Sequence, residues 1–169
     1  MATNNYNLWM IKEGHKALAK LFKERSDYHL GVGGCGAETP WTTSPPVPNF
    51  DAVAMLEEFG RRKVTQVSYA EEDAGGDIGW DGSLWSTTTS VTRHVYLKFA
   101  FETDEAVNLN VYQVAIFVGT VPQGIVPPGQ FYLEPADVLE AGTIMYSQYI
   151  VPRIFSEFEK PVFEFILTF

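Results

Sequence analysis

The sequence predicts a mainly β (α+β) protein: an antiparallel sheet or sandwich of about six strands, with an N-terminal helix and a short second helix. Three segments carry that prediction. His94 to Glu102 alternates, with Val95, Leu97, Phe99 and Phe101 on one side and Tyr96, Lys98 and Glu102 on the other. Phe163, Phe165, Leu167 and Phe169 alternate in the same way in Val162 to Phe169. Val111 to Gly119 is apolar almost throughout, the pattern of a central strand covered on both faces.

Leu8 to Arg25 reads as the helix. Leu8, Ile11, Leu18, Leu21 and Phe22 recur at helical steps, while Lys12, Glu13, Lys16, Lys20, Lys23 and Glu24 fill the other side. Tyr28 to Val32 is a short strand. Gly33 to Phe50 is a loop or arm, because Gly33-Gly34, Gly36, Pro40, Pro45-Pro46 and Pro48 forbid a regular ladder; Trp41 is its expected anchor. Asp51 to Phe59 places Ala52, Met55, Leu56 and Phe59 on one helical face, with Gly60 positioned to stop the helix. Lys63 to Tyr69 is a strand, Glu71 to Gly82 an acidic, Gly-rich turn region, and Thr120 to Pro135 a loop with four prolines. Thr143 to Ile150 is a strand closed by a turn at Pro152. The 169 residues suit a single domain, 1–169, able to bury a core without disulfide or metal.

Twelve basic and 21 acidic residues leave a net charge of -9. The densest basic cluster, Arg61-Arg62-Lys63, is too short to neutralise a phosphate backbone, so neither nucleic acid nor an anionic membrane is expected as a partner. No apolar run reaches the roughly 20 residues of a membrane span. Met1 to Asn7 lacks a secretory pattern, and the single cysteine, Cys35, suits a reducing compartment. Aromatic residues make up 14% of the chain, more than a minimal core requires, which places some of them at interfaces.

No catalytic residue, metal site or cofactor emerges. His15, His29 and His94 have no metal-ligand spacing, and nothing in the pattern orients a base towards Cys35. Gly31 to Gly36 lacks the Lys-Ser/Thr ending of a nucleotide loop and runs into prolines rather than a helix. No Gly-x-Ser-x-Gly elbow is present. Glu71, Glu72, Asp73, Asp77 and Asp81 could attract a hard cation, but they match no calcium-loop spacing and read as a solvated turn. Trp80 and Trp85, with Trp41 and Trp9, could line a sugar-stacking face. A non-catalytic β-sandwich binding a ligand or carbohydrate is therefore the alternative to a protein-binding structural subunit.

Two blocks carry a resemblance. One is Thr39-Pro40-Trp41-Thr42-Thr43 followed by Pro45-Pro46-Val47-Pro48. The other is Val114-Ala115-Ile116-Phe117, then Gly142-Thr143-Ile144-Met145-Tyr146, Pro152-Arg153-Ile154 and Glu164-Phe165-Ile166-Leu167-Thr168-Phe169. In order and content they resemble the baseplate wedge proteins of contractile-tailed, T-even-like bacteriophages, in a short form without the long middle insertions. The resemblance implies a virion structural protein of the tail baseplate, made in the host cytoplasm. It would bind other tail proteins and copies of itself. Trp41, Pro45, Pro46 and Pro48 in the first Pro loop, and Pro127, Pro128 and Phe131 in the second, are the expected interface residues.

Overall fold

The computed structural model describes residues 10–169; the expected helix start at Leu8, and Trp9, lie outside the described residues. Helix α1 (Lys12–Lys23) precedes β1 (Tyr28–Gly34), β2 (Glu57–Lys63), β3 (Gln66–Glu72), β4 (Ile78–Trp80), β5 (Ser83–Thr88) and β6 (His94–Ala100). There follow β7 (Asn110–Val118), β8 (Val121–Pro122), β9 (Tyr132–Leu133), a 3-10 turn at Pro135–Asp137, β10 (Val138–Glu140), β11 (Thr143–Ile154) and β12 (Val162–Thr168). The mainly β class with an N-terminal helix is borne out. One sheet runs β11-β7-β1-β2-β9, another β12-β6-β3-β5-β4, and β10 pairs with β8.

The chain divides into two compact units. The larger contains Ser26–Gln66 and Lys98–Glu164. Its five-stranded sheet is antiparallel throughout, with β7 between β11 and β1 as the apolar run predicts. Every residue of β1 is buried. Gly31 is needed there because a Cβ would come within 2.7 Å of both the Met55 sulfur and the Phe117 ring. Gly33 and Gly34 also belong to this strand, so the loop begins at Cys35, later than expected. At Gly33 a Cβ would collide with the Glu57 carbonyl of β2, so the two backbones approach too closely for any side chain.

The second helix expected over Asp51–Phe59 does not form. Asn49 makes a turn instead: its side-chain oxygen accepts from the Asp51 N–H at 3.0 Å, and its carbonyl from Ala52 N–H at 3.2 Å. From Glu57 the chain is already a strand paired with β1. Gly60 is no helix stop. It is buried in β2, where a Cβ would overlap the Tyr132 phenol and lie 2.8 Å from the Leu133 carbonyl. The strand expected over Lys63–Tyr69 is likewise two strands, because the chain leaves β2 at Lys63 and enters β3, in the other sheet, at Gln66. Pro152 does not end β11. It sits within an irregularity of the pairing between Tyr149 and Arg153, on an outer strand, where a missing N–H is tolerated.

Arg61 and Arg62 are inside this unit, not a surface cluster. The Arg61 guanidinium lies 3.6 Å from the Phe117 ring centroid, pairs with Glu58 through Nε and Nη2, and donates to Thr120 Oγ1 (2.9 Å) and the Ala141 carbonyl. Arg62 pairs with buried Glu105 at 2.5 Å.

His29, on β1, is buried and within 3.3 Å of the Asp27 carbonyl. Burial, offset by that carbonyl and assisted by nearby Lys63 and Arg61, lowers its pKa from 6.5 to about 4. Its neutral ring therefore contributes stability that is complete above pH 6.5 and lost as pH falls towards 4, amounting to roughly 3 kcal/mol. Urea unfolding across this range will show the loss. A His29→Gln variant will have a flatter profile between pH 6.5 and 4, and an unchanged slope would refute the assignment.

The smaller unit contains the helix through Arg25, Val67–Leu97 and Phe165–Phe169. Ala19 is its fully buried helical residue, and the Phe22 ring meets Phe169 at a tilt, 4.6 Å between centroids, while Ile11 and Leu21 are exposed. β4 and β5 form a hairpin whose first strand and turn lie in the segment expected to be an acidic turn, with β5 following it. Asp81 and Gly82 have φ of 47° and 79°, the left-handed pair that a two-residue hairpin turn requires. Ile78, Trp80, Ser83 and Trp85 share one hairpin face. Ile78 packs there with Ala70, Tyr96 and Ile166, flanked by the two indoles.

Candidate functional site

The first expected interface loop is pinned at both ends. Trp41 is 9% exposed; its indole N–H donates to the Ile150 carbonyl at 2.7 Å, and its ring meets Tyr112 edge-on at 5.0 Å and Tyr149 at 5.2 Å. At the other end Met55 packs on Ala115, Phe117 and Ile144, and the Leu56 N–H donates to Gln113 Oε1 at 2.9 Å. Trp41 is thus the anchor that the sequence suggests. Pro45 and Pro48 are half-buried and Pro46 is exposed. Three highly exposed apolar side chains lie between the anchors: Val47, Phe50 at 88% and Val53 at 91%. Of these, the sequence pattern puts Val53 within a helix and Phe50 at the loop's end. The legible signal was three large apolar residues in a stretch too rich in proline to bury them.

The second loop is built from consecutive turns. The Val126 N–H reaches the Gln123 carbonyl at 3.0 Å, and the Gln130 N–H the Pro127 carbonyl at 3.1 Å. Pro128 followed by Gly129 at φ 93° is the pair a type II turn favours. Pro127 and Pro128 are exposed, Ile125 is 85% exposed and Phe131 half-exposed. Phe131 lines a cleft of about 710 Å³ with Phe59, Arg62, Glu102, Glu105 and Tyr132; Trp41 and the prolines of the first loop do not. On this wall Arg62 lies 5.5 Å from the Phe131 ring, and the Glu105 carboxylate also accepts from the Glu102 N–H at 2.9 Å. Burial raises the Glu105 pKa against the pull of that N–H and Arg62. Glu102, paired with Lys160, is held below the usual carboxylate range.

In the smaller unit, Trp80 and Trp85 do come together. They line a pocket of about 320 Å³ with Glu72, Asp81, Ser83, Arg93, His94 and Thr168. Ser83 donates to Glu72 at 2.6 Å, and His94 Nδ1 meets Thr168 Oγ1 at 2.8 Å. Burial first, then Arg93, lowers the His94 pKa, which keeps the ring neutral; Nε2 accepts from Arg93 Nε at 3.4 Å, so Nδ1 donates. The neighbouring acidic turn is internally bonded. Asp73 accepts from the Gly75 N–H at 2.9 Å and from Ser86 at 2.8 Å, which lowers its pKa. Among the described residues no group of His, Cys, Asp and Glu is arranged to hold a metal ion. Among them, too, no helix is long and apolar enough to cross a membrane.

Comparison with known proteins gives one family. A model described as "Baseplate wedge 3 tail fiber network component" matches residues 9–169. No curated protein matches the chain.

Proposed function

The chain belongs to the baseplate wedge 3 tail fiber network component family, a structural part of the phage tail, and from that premise we propose that it holds neighbouring tail proteins, and copies of itself, through its two Pro-bearing loops. The carrying observation is the first loop, fixed at Trp41 and Met55 while Phe50 and Val53 stand in solvent between them. Apolar side chains in solvent are the usual core of an interface, and a segment already fixed loses little entropy on docking. The second loop offers Ile125 and Phe131 in the same way. On this reading Trp41 positions the loop without touching the partner, and the work is mechanical. Mass spectrometry of purified tails tests the placement: the chain should be present in a fixed ratio to the other baseplate proteins. Absence from the particle would overturn it.

A further inference from the structure

We propose that the pocket of the smaller unit is a second binding site, distinct from the loops, for a neutral pyranose, a single sugar ring or the end of a glycan chain.

Its construction selects that class. The register places Trp80 and Trp85 on the same hairpin face as buried Ile78, so packing on the core fixes the indoles. Indole surfaces match the C–H face of a sugar ring. The polar groups around them carry both charges without neutralising each other. Asp81 has neither a hydrogen-bond nor an ion-pair partner among the described residues, and Glu72 takes only the Ser83 hydroxyl. Arg93 donates to His94 and stands in no ion pair among them. Carboxylates accept from hydroxyls, and a guanidinium donates to hydroxyl or ring oxygens through a planar fork.

Other ligands fit less well. A phosphate or other anion would meet Glu72 and Asp81, and a basic peptide would meet Arg93. An aliphatic ligand would leave every one of these groups unsatisfied. A neutral ring bearing several hydroxyls satisfies both charges and the indoles together. The pocket, at about 320 Å³, lies at the small end of the range for ligand sites, which suits one or two rings.

The test is saturation-transfer NMR on the full chain. Glucose, galactose, mannose, N-acetylglucosamine and their common disaccharides serve as ligands, with inorganic phosphate and a tri-lysine peptide as controls. At least one sugar should bind saturably and the controls should not. Trp80→Ala should abolish the binding. Because Trp80 packs on the core, Asp81→Asn is the deciding variant: asparagine accepts the left-handed turn position, so the fold is kept while the carboxylate is lost. It should weaken binding by about tenfold, the effect of one charge-assisted hydrogen bond. A disaccharide that binds more tightly than its component sugars would identify a glycan end as the ligand. No saturable binding by any sugar, or binding unchanged in Asp81→Asn, would overturn the proposal. Neither result bears on the loops, which belong to the other unit.

Discussion

Arg61→Ala will be the most damaging single substitution in the larger unit. Arg61 is 3% exposed, and its guanidinium serves Glu58, Thr120, the Ala141 carbonyl and the Phe117 ring at once. Removing it opens a cavity over Phe117 and leaves the largely buried Glu58 carboxylate without its counter-charge. Breaking a buried pair from one side costs about 3–5 kcal/mol, a large fraction of the 5–15 kcal/mol that holds a typical domain folded. For a chain of this size the melting temperature will fall by roughly 10 °C or more. Arg61→Lys will rescue only part of the loss, because an ammonium cannot serve the carboxylate in a fork and lie flat on the ring. Lys20→Ala is the control. Its pair with Glu24 is long, at 3.9 Å, and exposed, so the melt should move little. A cooperative melt of Arg61→Ala at the native temperature would refute this account of the core.

The double variant Phe50→Asp, Val53→Asp will separate assembly from folding. Both side chains stand almost wholly in solvent, so the melting curve should match that of the native chain. Binding to tail proteins should weaken by about 30-fold or more, the loss expected when central apolar anchors of an interface are removed. Particles complemented with this variant should lack the chain or assemble poorly. Trp41→Ala should behave differently. Since Trp41 is buried and bonded to the Ile150 carbonyl, its removal should lower the melting temperature and loosen the loop, weakening assembly only as a consequence. Normal assembly by the double variant would remove the first loop from the interface.

Segments whose pattern serves a single purpose could be read from the sequence. Val111–Gly119 is apolar because β7 is covered on both faces, and His94–Glu102 alternates because β6 has two different faces. Asp51–Phe59 misled for a physical reason. Met55 is held by the core, Leu56 by its backbone bond to Gln113, and Phe59 by β2; three separate demands happen to recur at helical spacing. Glycines were ambiguous in the same way. Gly33, Gly34 and Gly60 are strand residues because other groups occupy the space of a Cβ, and a one-dimensional pattern does not show what lies across a sheet. The burial of Arg61 and Arg62 was not legible, because Thr120, Ala141 and Glu105, which help to hold them, are distant in sequence. The Asp81-Gly82 hairpin was legible from its dipeptide and was obscured by the acidic run before it. Trp80 and Trp85 are legible as a pair, but their pocket also needs His94 and Thr168 from elsewhere in the chain.

Carboxyl-directed cross-linking of purified tails, followed by mass spectrometry, tests whether the loops contact neighbouring tail proteins in the assembled particle. Glu38 and Asp51 are exposed near the two ends of the first loop, and exposed Glu134 lies at the end of the second. The prediction is that these residues cross-link to other tail proteins or to a second copy, while Asp73 and Asp77 of the smaller unit do so rarely. Cross-links to neighbours that arise from the smaller unit, and none from Glu38, Asp51 or Glu134, would contradict the account.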